Sequence, residues 1–203
     1  MHTLIVVSHP DPASLSHAAA HSMGSGIVQA GPEHSYEVAD LYAEGFDPRF
    51  NVADHALHRR TRAAPADVAA EQARIDRADA LALVFPVYWW SMPALMKGWI
   101  DRVFSNGWAY DDTTGRLEKK LGRLPVYLVG VGGADARTYA RHGYASAMRT
   151  QIDHGIFDYC GARVMASELL LHSHDEPDAI LAAARRLGRR IAEAPVVHVP
   201  AAA

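Results

Sequence analysis

An excess of charge of one sign is what this chain lacks: 20 lysines and arginines stand against 23 aspartates and glutamates, a net charge of -3 with histidine neutral. That balance leaves no basic footprint for a phosphate backbone, so no nucleic-acid partner is expected. Cysteine is nearly absent as well. The single Cys160 excludes an intramolecular disulfide and a cysteine-rich zinc site, and it fits a reducing compartment. No run approaches the roughly 18 consecutive apolar residues that cross a bilayer, so no membrane insertion is expected. The opening MHTLIVVSHPDP has neither a basic region nor a small-residue cleavage site. The expectation is a cytoplasmic protein of one domain, 1–203, with 195–203 as a loose tail.

Several catalytic signatures are missing too. GxxxxGK[ST], GxGxxG, GxSxG and HExxH do not occur, which argues against phosphate-loop nucleotide hydrolysis, serine-elbow hydrolysis and zinc-dependent proteolysis. His172 and His174, beside Asp175 and Glu176, form the only dense group of metal-ligand residue types. They read as a polar turn whose acids suit the N-terminus of the helix that follows, and no metal is expected.

What the chain does have is a rhythm of short apolar runs and helical stretches. Runs 3–8, 35–42, 80–88, 123–133 and 162–171 read as strands, and 14–29, 68–79, 94–104, 145–159 and 178–194 as helices. Most of the strand runs are apolar continuously, as strands covered on both faces must be. Alternation of this kind predicts a flavodoxin-like α/β three-layer sandwich: a five-stranded parallel sheet of order 2-1-3-4-5, with helices on both faces. Ligands of such sheets bind beyond the carboxyl ends of the strands where strand order reverses. The loops after strands one, three and four therefore become the candidate site.

The first loop, SHPDPASLSHA (8–18), holds two prolines and two capping residues, Asp11 and Ser14. It is open to two readings: ordinary N-capping, or a phosphate held by helix amides with help from His9, Ser14 and Ser16. The second loop, in FPVYWWSMP (85–93), places Trp89 and Trp90 between Pro86 and Pro93. Pro86 ends a strand, Pro93 opens a helix, and the flat side chains between them offer stacking surface for a planar ring. Trp99 lies four residues from Leu95 and from Val103, a helical stripe that assigns it to the core. The third loop, GVGGADARTYARHG (130–143), combines Gly130, Gly132 and Gly133 with Tyr139 and His142. A phenol and an imidazole beside a redox ring can stabilise charge as a hydride leaves or a quinone oxygen gains a proton.

The run FPVYWWSMPALMKGWIDRVFSNGWAY (85–110) closely resembles the flavodoxin-like NAD(P)H:quinone oxidoreductases. SHPDPASLSHA, VAAEQ (68–72) and VGVGG (129–133) extend the likeness over about 3–194. The resemblance implies a homodimer with one flavin per subunit, FAD or alternatively FMN, and NAD(P)H as co-substrate for a quinone-like acceptor in ping-pong hydride transfer. It also implies roles for residues. His9, Ser14, Leu15 and Ser16 would hold the flavin phosphate and ribityl chain. Pro86, Val87, Tyr88, Trp89 and Trp90 would wrap the ring, and Gly130, Val131, Gly132 and Gly133 would hold its other edge. Tyr139 and His142 would act in catalysis. Trp90 would face the acceptor, together with Tyr110 from the partner subunit. Arg137 and Arg141 could meet a 2′-phosphate of the nucleotide. The resemblance leaves two alternatives: a flavin-binding regulatory subunit of a potassium efflux system, and an electron-transfer flavodoxin.

Overall fold

A computed structural model describes residues 1–171 and 176–195. His172, His174 and Asp175 fall outside that range, as does most of the expected tail. The elements run β1 (His2–Val7), α1 (Leu15–Ala30), β2 (Ser35–Asp40), α2 (Val52–His58), α3 (Ala66–Arg77), β3 (Ala80–Pro86) and α4 (Ala94–Val103). They continue with β4 (Tyr110–Asp111), β5 (Glu118–Lys119), β6 (Pro125–Gly132), α5 (Ala136–His142), α6 (Tyr144–Met148), a π-helix over Arg149–Asp158, β7 (Arg163–Leu171) and α7 (Pro177–Glu193).

Five strands form one parallel sheet in the order β2-β1-β3-β6-β7, which is 2-1-3-4-5 when only its own strands are counted. Successive residues of β1 serve opposite layers. Leu4 and Val6 pack with Trp99 and Val103 of α4, whereas Ile5 and Val7 pack with Met23 of α1 and Ile180 of α7. The continuous apolar runs are thus the mark of two covered faces.

On one face α1 and α7 approach backbone to backbone. A Cβ at Gly26 would stand 2.1 Å from the Arg185 carbonyl oxygen, and one at Gly188 would stand 2.0 Å from that of Met23. The Ser22 hydroxyl donates to Leu181 O at 2.7 Å. On the other face, fully buried Trp99 donates its Nε1–H to Glu71 Oε2 on α3 at 2.8 Å. Arg102, also buried, donates to Asp54 at 2.9 Å and to Asp67 at 2.7 Å, tying α4 to α2 and α3.

Three expectations need correction. Helix α2, closed by a capping box between Asn51 and Asp54, and the ribbon β4–β5 have no counterpart in the sequence reading. The helix expected over 145–159 widens into a π-helix after Met148. Its buried residues Ile152 and Phe157 are five apart, a spacing that an α-helix turns to different sides and an i→i+5 helix aligns. The fourth sheet strand, expected over 123–133, runs Pro125–Gly132, so the third loop begins after Gly132 and not at Gly130.

Candidate functional site

Strands β1, β3 and β6 carry the three candidate loops, and β3 pairs with both of the others. Val87 N donates to Val131 O at 2.8 Å, so the second and third loops leave the sheet side by side.

The first loop is held by its own polar groups. Asp11 N donates to His9 Nδ1 at 3.0 Å, and Ala13 N donates to Asp11 Oδ1 at 2.9 Å. Ser14 is the N-cap of α1 and accepts from His17 N at 3.3 Å. Of the two anticipated caps, Ser14 caps the helix, whereas Asp11 holds the turn that precedes it. Among the described residues the amides of Leu15 and Ser16 have no acceptor, the usual state of a helix's first turn and the donor pattern that receives an anion. Leu15 is half-buried and Ser16 buried at that turn.

The second loop is a hairpin. Tyr88 and Ser91 exchange both backbone hydrogen bonds at 3.1 Å, and the two residues between them, Trp89 and Trp90, have φ of 50° and 61°. Positive φ at both central positions is the geometry of a type I′ turn, where Asn-Gly is usual. Two tryptophans in the left-handed region cost about 1–3 kcal/mol each, and such strain concentrates at ligand sites. Trp89 is 94% exposed and packs on nothing that would offset its share. The Ser91 hydroxyl donates to Gln151 at 2.8 Å and anchors the turn. The amides of Trp89 and Trp90 have no acceptor among the described residues and stand ready for ring carbonyls or nitrogens.

In the third segment Gly130, Val131 and Gly132 are buried strand residues, and Gly133 is exposed beyond them. The glycines serve close packing: a Cβ at Gly132 would lie 2.7 Å from Tyr139 Oη, and one at Gly130 would lie 2.9 Å from Val87 Cγ2. Tyr139 on α5 is 3% exposed, and burial raises its phenol above the ordinary tyrosine range. It stays a proton donor at neutral pH. His142 and Arg141 are exposed at the end of α5, and Arg137 is exposed at its start.

Val87, Trp89, Trp90, Gly133, Ala134 and Tyr139 enclose a cleft of about 230 Å³. It joins the second and third loops as the topology requires. Pro86 is buried at the end of β3, and Tyr88 is exposed outside the cleft. Tyr110 is not brought there within one chain: it packs edge-on to Tyr159 at 5.2 Å, with its hydroxyl 3.4 Å from His58 Nδ1.

The sequence reading missed Tyr144. It stacks on Trp90 with ring centroids 3.7 Å apart and on His142 at 5.3 Å, so it links the second loop to α5. Its position after Gly143, a left-handed helix end, was the available signal.

A planar wall, unpaired backbone amides and a buried phenol fit a flavin ring; the α1 N-terminus fits its phosphate. Residues 1–191 match the family of flavodoxin-like fold. Ribosyldihydronicotinamide dehydrogenase [quinone] of Pongo abelii is 30% identical over 82% of this chain and 79% of its own length. The solved NAD(P)H:quinone oxidoreductase of Methanothermobacter marburgensis is 29% identical, with a TM-score of 0.85 over 94% of this chain and 98% of that one. General stress protein 14 of Treponema denticola, solved in complex with FMN, is 26% identical, with a TM-score of 0.62 over 92% and 95% of the two chains. The chain belongs to the flavodoxin-like family of NAD(P)H:quinone oxidoreductases.

Proposed function

We propose that the protein is a flavin-dependent NAD(P)H:quinone oxidoreductase with ping-pong kinetics. The observation that carries this reading is the Trp89–Trp90 turn, held at positive φ beside a cleft floored by Tyr139. A flavin held in this cleft would supply the two-electron redox chemistry between NAD(P)H and the acceptor. The chain itself binds, orients and excludes water. Pro86 and Val87 fix the strand end, Trp89 and Trp90 present ring faces and amides, and Gly130, Val131, Gly132 and Gly133 let backbone approach the opposite edge. His9, Ser14, Leu15 and Ser16 receive the phosphate and ribityl oxygens. The Tyr139 phenol donates toward the acceptor oxygen, with His142 as a second proton donor at the mouth.

The quinone-like acceptor would meet Trp90 of one subunit and Tyr110 of the partner subunit, in a homodimer. The flavin is FAD by the sequence resemblance, with FMN as the alternative that the Treponema relative supports. The protein acts in the cytoplasm and uses no metal. Purified protein should be yellow, and mass analysis of the released flavin separates FAD from FMN. A colourless protein that takes up neither would sink the reading.

A further inference from the structure

Behind the α1 N-terminus lies a hydrogen-bonded chain of three side chains. Ser14 Oγ is 2.9 Å from His17 Nδ1, and His17 Nε2 is 2.8 Å from Asp40 Oδ2. His17 is 5% exposed. Asp40, at the end of β2, is fully engaged: its other oxygen accepts from Tyr42 N and Ala43 N, each at 3.1 Å. None of this is needed to cap α1, which requires only the Ser14 oxygen.

The proton positions follow from the partners. A carboxylate facing Nε2 requires a hydrogen there, so neutral His17 presents a lone pair at Nδ1. Ser14 then donates its only hydroxyl hydrogen inward to Nδ1, while its oxygen accepts from His17 N at 3.3 Å. In that state the hydroxyl has no proton to offer an anion at the helix terminus. With Nδ1 protonated, the bond reverses: Nδ1–H donates to Ser14 Oγ, and the hydroxyl hydrogen turns outward. One proton enters from solvent and forms the Nδ1–H bond; no other covalent bond forms or breaks.

We propose that His17 is a proton-operated positioning residue, so that a phosphate bound at the α1 N-terminus is accompanied by uptake of one proton at His17 Nδ1. This rests on the flavin reading above. The other groups facing His17 are few. His9 from the first loop lies edge-on at 6.4 Å, and its Nδ1 already accepts from Asp11 N, which leaves its Nε2–H a donor without rearrangement. The side chains of β1, β3 and α7 that cluster with those of α1, among them Val7, Val84, Ile180 and Ala184, are apolar, and Arg185 of α7 meets α1 through its backbone. His21, one turn along α1, is exposed.

By linkage, a ligand that promotes protonation binds less tightly as pH rises. The test is titration of flavin-free protein with FMN and with riboflavin, read by flavin fluorescence, across about pH 5.5 to 8.5 where an imidazole titrates. FMN affinity should fall several-fold with rising pH, by at most about tenfold per pH unit for one proton. The phosphate's own ionisation acts in the opposite direction, since the dianion that forms above about pH 6 binds a helix terminus better. Riboflavin, which has no phosphate, should show no such slope.

His17→Gln should abolish the fall in FMN affinity, leaving only the rise from the phosphate's own ionisation, and keep riboflavin binding, which also reports an intact ring site; His9→Gln should retain the fall. A slope unchanged in His17→Gln, or equal for riboflavin and FMN, overturns the relay and leaves the flavin assignment standing. Failure of wild-type protein to bind either flavin at any pH overturns the flavin assignment itself.

Discussion

Trp90 lies flat on Tyr144, with ring centroids 3.7 Å apart and planes 10° from parallel, and meets Tyr139 edge-on at 5.3 Å. One face of the indole is thereby occupied from within the chain, and a ligand has only the other. Aromatic pairs of this kind contribute about 0.5–1.5 kcal/mol beyond area burial. Tyr144→Ala should therefore weaken flavin binding about two- to tenfold, whereas Tyr144→Phe should leave it near wild type. Fluorescence titration of the two variants separates ring stacking from any role of the hydroxyl.

The exposed tryptophan of the turn gives a prediction of opposite sign for stability and binding. Trp89→Gly removes a side chain that packs on nothing and relaxes a φ of 50°. Left-handed strain of about 1–2 kcal/mol is relieved, less the entropy that glycine adds to the unfolded chain. Thermal unfolding should move upward by about 2–4 °C per kcal/mol gained, while flavin affinity falls. A variant that loses stability would place the Trp89 ring in contacts the fold depends on.

Gly132 and Tyr139 form the next test. Gly132→Ala would set a Cβ 2.7 Å from the Tyr139 hydroxyl and 2.9 Å from Leu171 Cδ2. Overpacking of this kind costs about 1–3 kcal/mol and should displace the phenol. Quinone turnover should drop in Gly132→Ala and in Tyr139→Phe alike, but only the first should also lower the melting temperature. Turnover equal to wild type in Tyr139→Phe would remove the phenol from the reaction.

Cys160 is 4% exposed, and burial pushes its thiol up to about 11. The thiolate is the reactive form, so an aromatic disulfide reagent at neutral pH should label native protein slowly and urea-unfolded protein at once. Rapid stoichiometric labelling of the native state would mean that the segment around Cys160 opens locally.

Arg102 joins buried Asp54 to Asp67, and its hydrogen bond holds the Asp67 carboxyl below the usual carboxylate range. Arg102→Ala leaves Asp54 buried beside an empty place and should cost about 3–5 kcal/mol at neutral pH. Asp67's share of wild-type stability is present above its unfolded value and lost as pH falls through its lower folded value. The gap between wild type and Arg102→Ala should therefore narrow in acid. Urea midpoints measured across the acidic range provide the comparison.

The parts of this molecule that were legible in sequence are those fixed by local patterning. The continuous apolar runs announced a sheet covered twice, Pro86 and Pro93 bounded the second loop, and the four-residue recurrence assigned Trp99 to the core. What sequence reading missed depends on contacts distant in the chain or on conformations that the residue types disfavour. A type I′ turn is announced by Asn-Gly, not by two tryptophans. Gly130 and Gly132 were assigned to the third loop because glycine marks close packing and turning equally well, and only Val87 and Tyr139 tell which. His17 resembled any other helical histidine until β2 delivered Asp40, 23 positions onward, to its ring.

The contact between α1 and α7 carries a consequence for biosynthesis. The first helix of the chain is clamped by the last one described, at Gly26 and Gly188, where neither backbone leaves room for a single methyl group. The phosphate end of the pocket is built on that first helix. In a nascent chain the groups that shape the cradle, from His9 to Asp40, emerge early, yet that helix completes its packing only when α7 has emerged and docked.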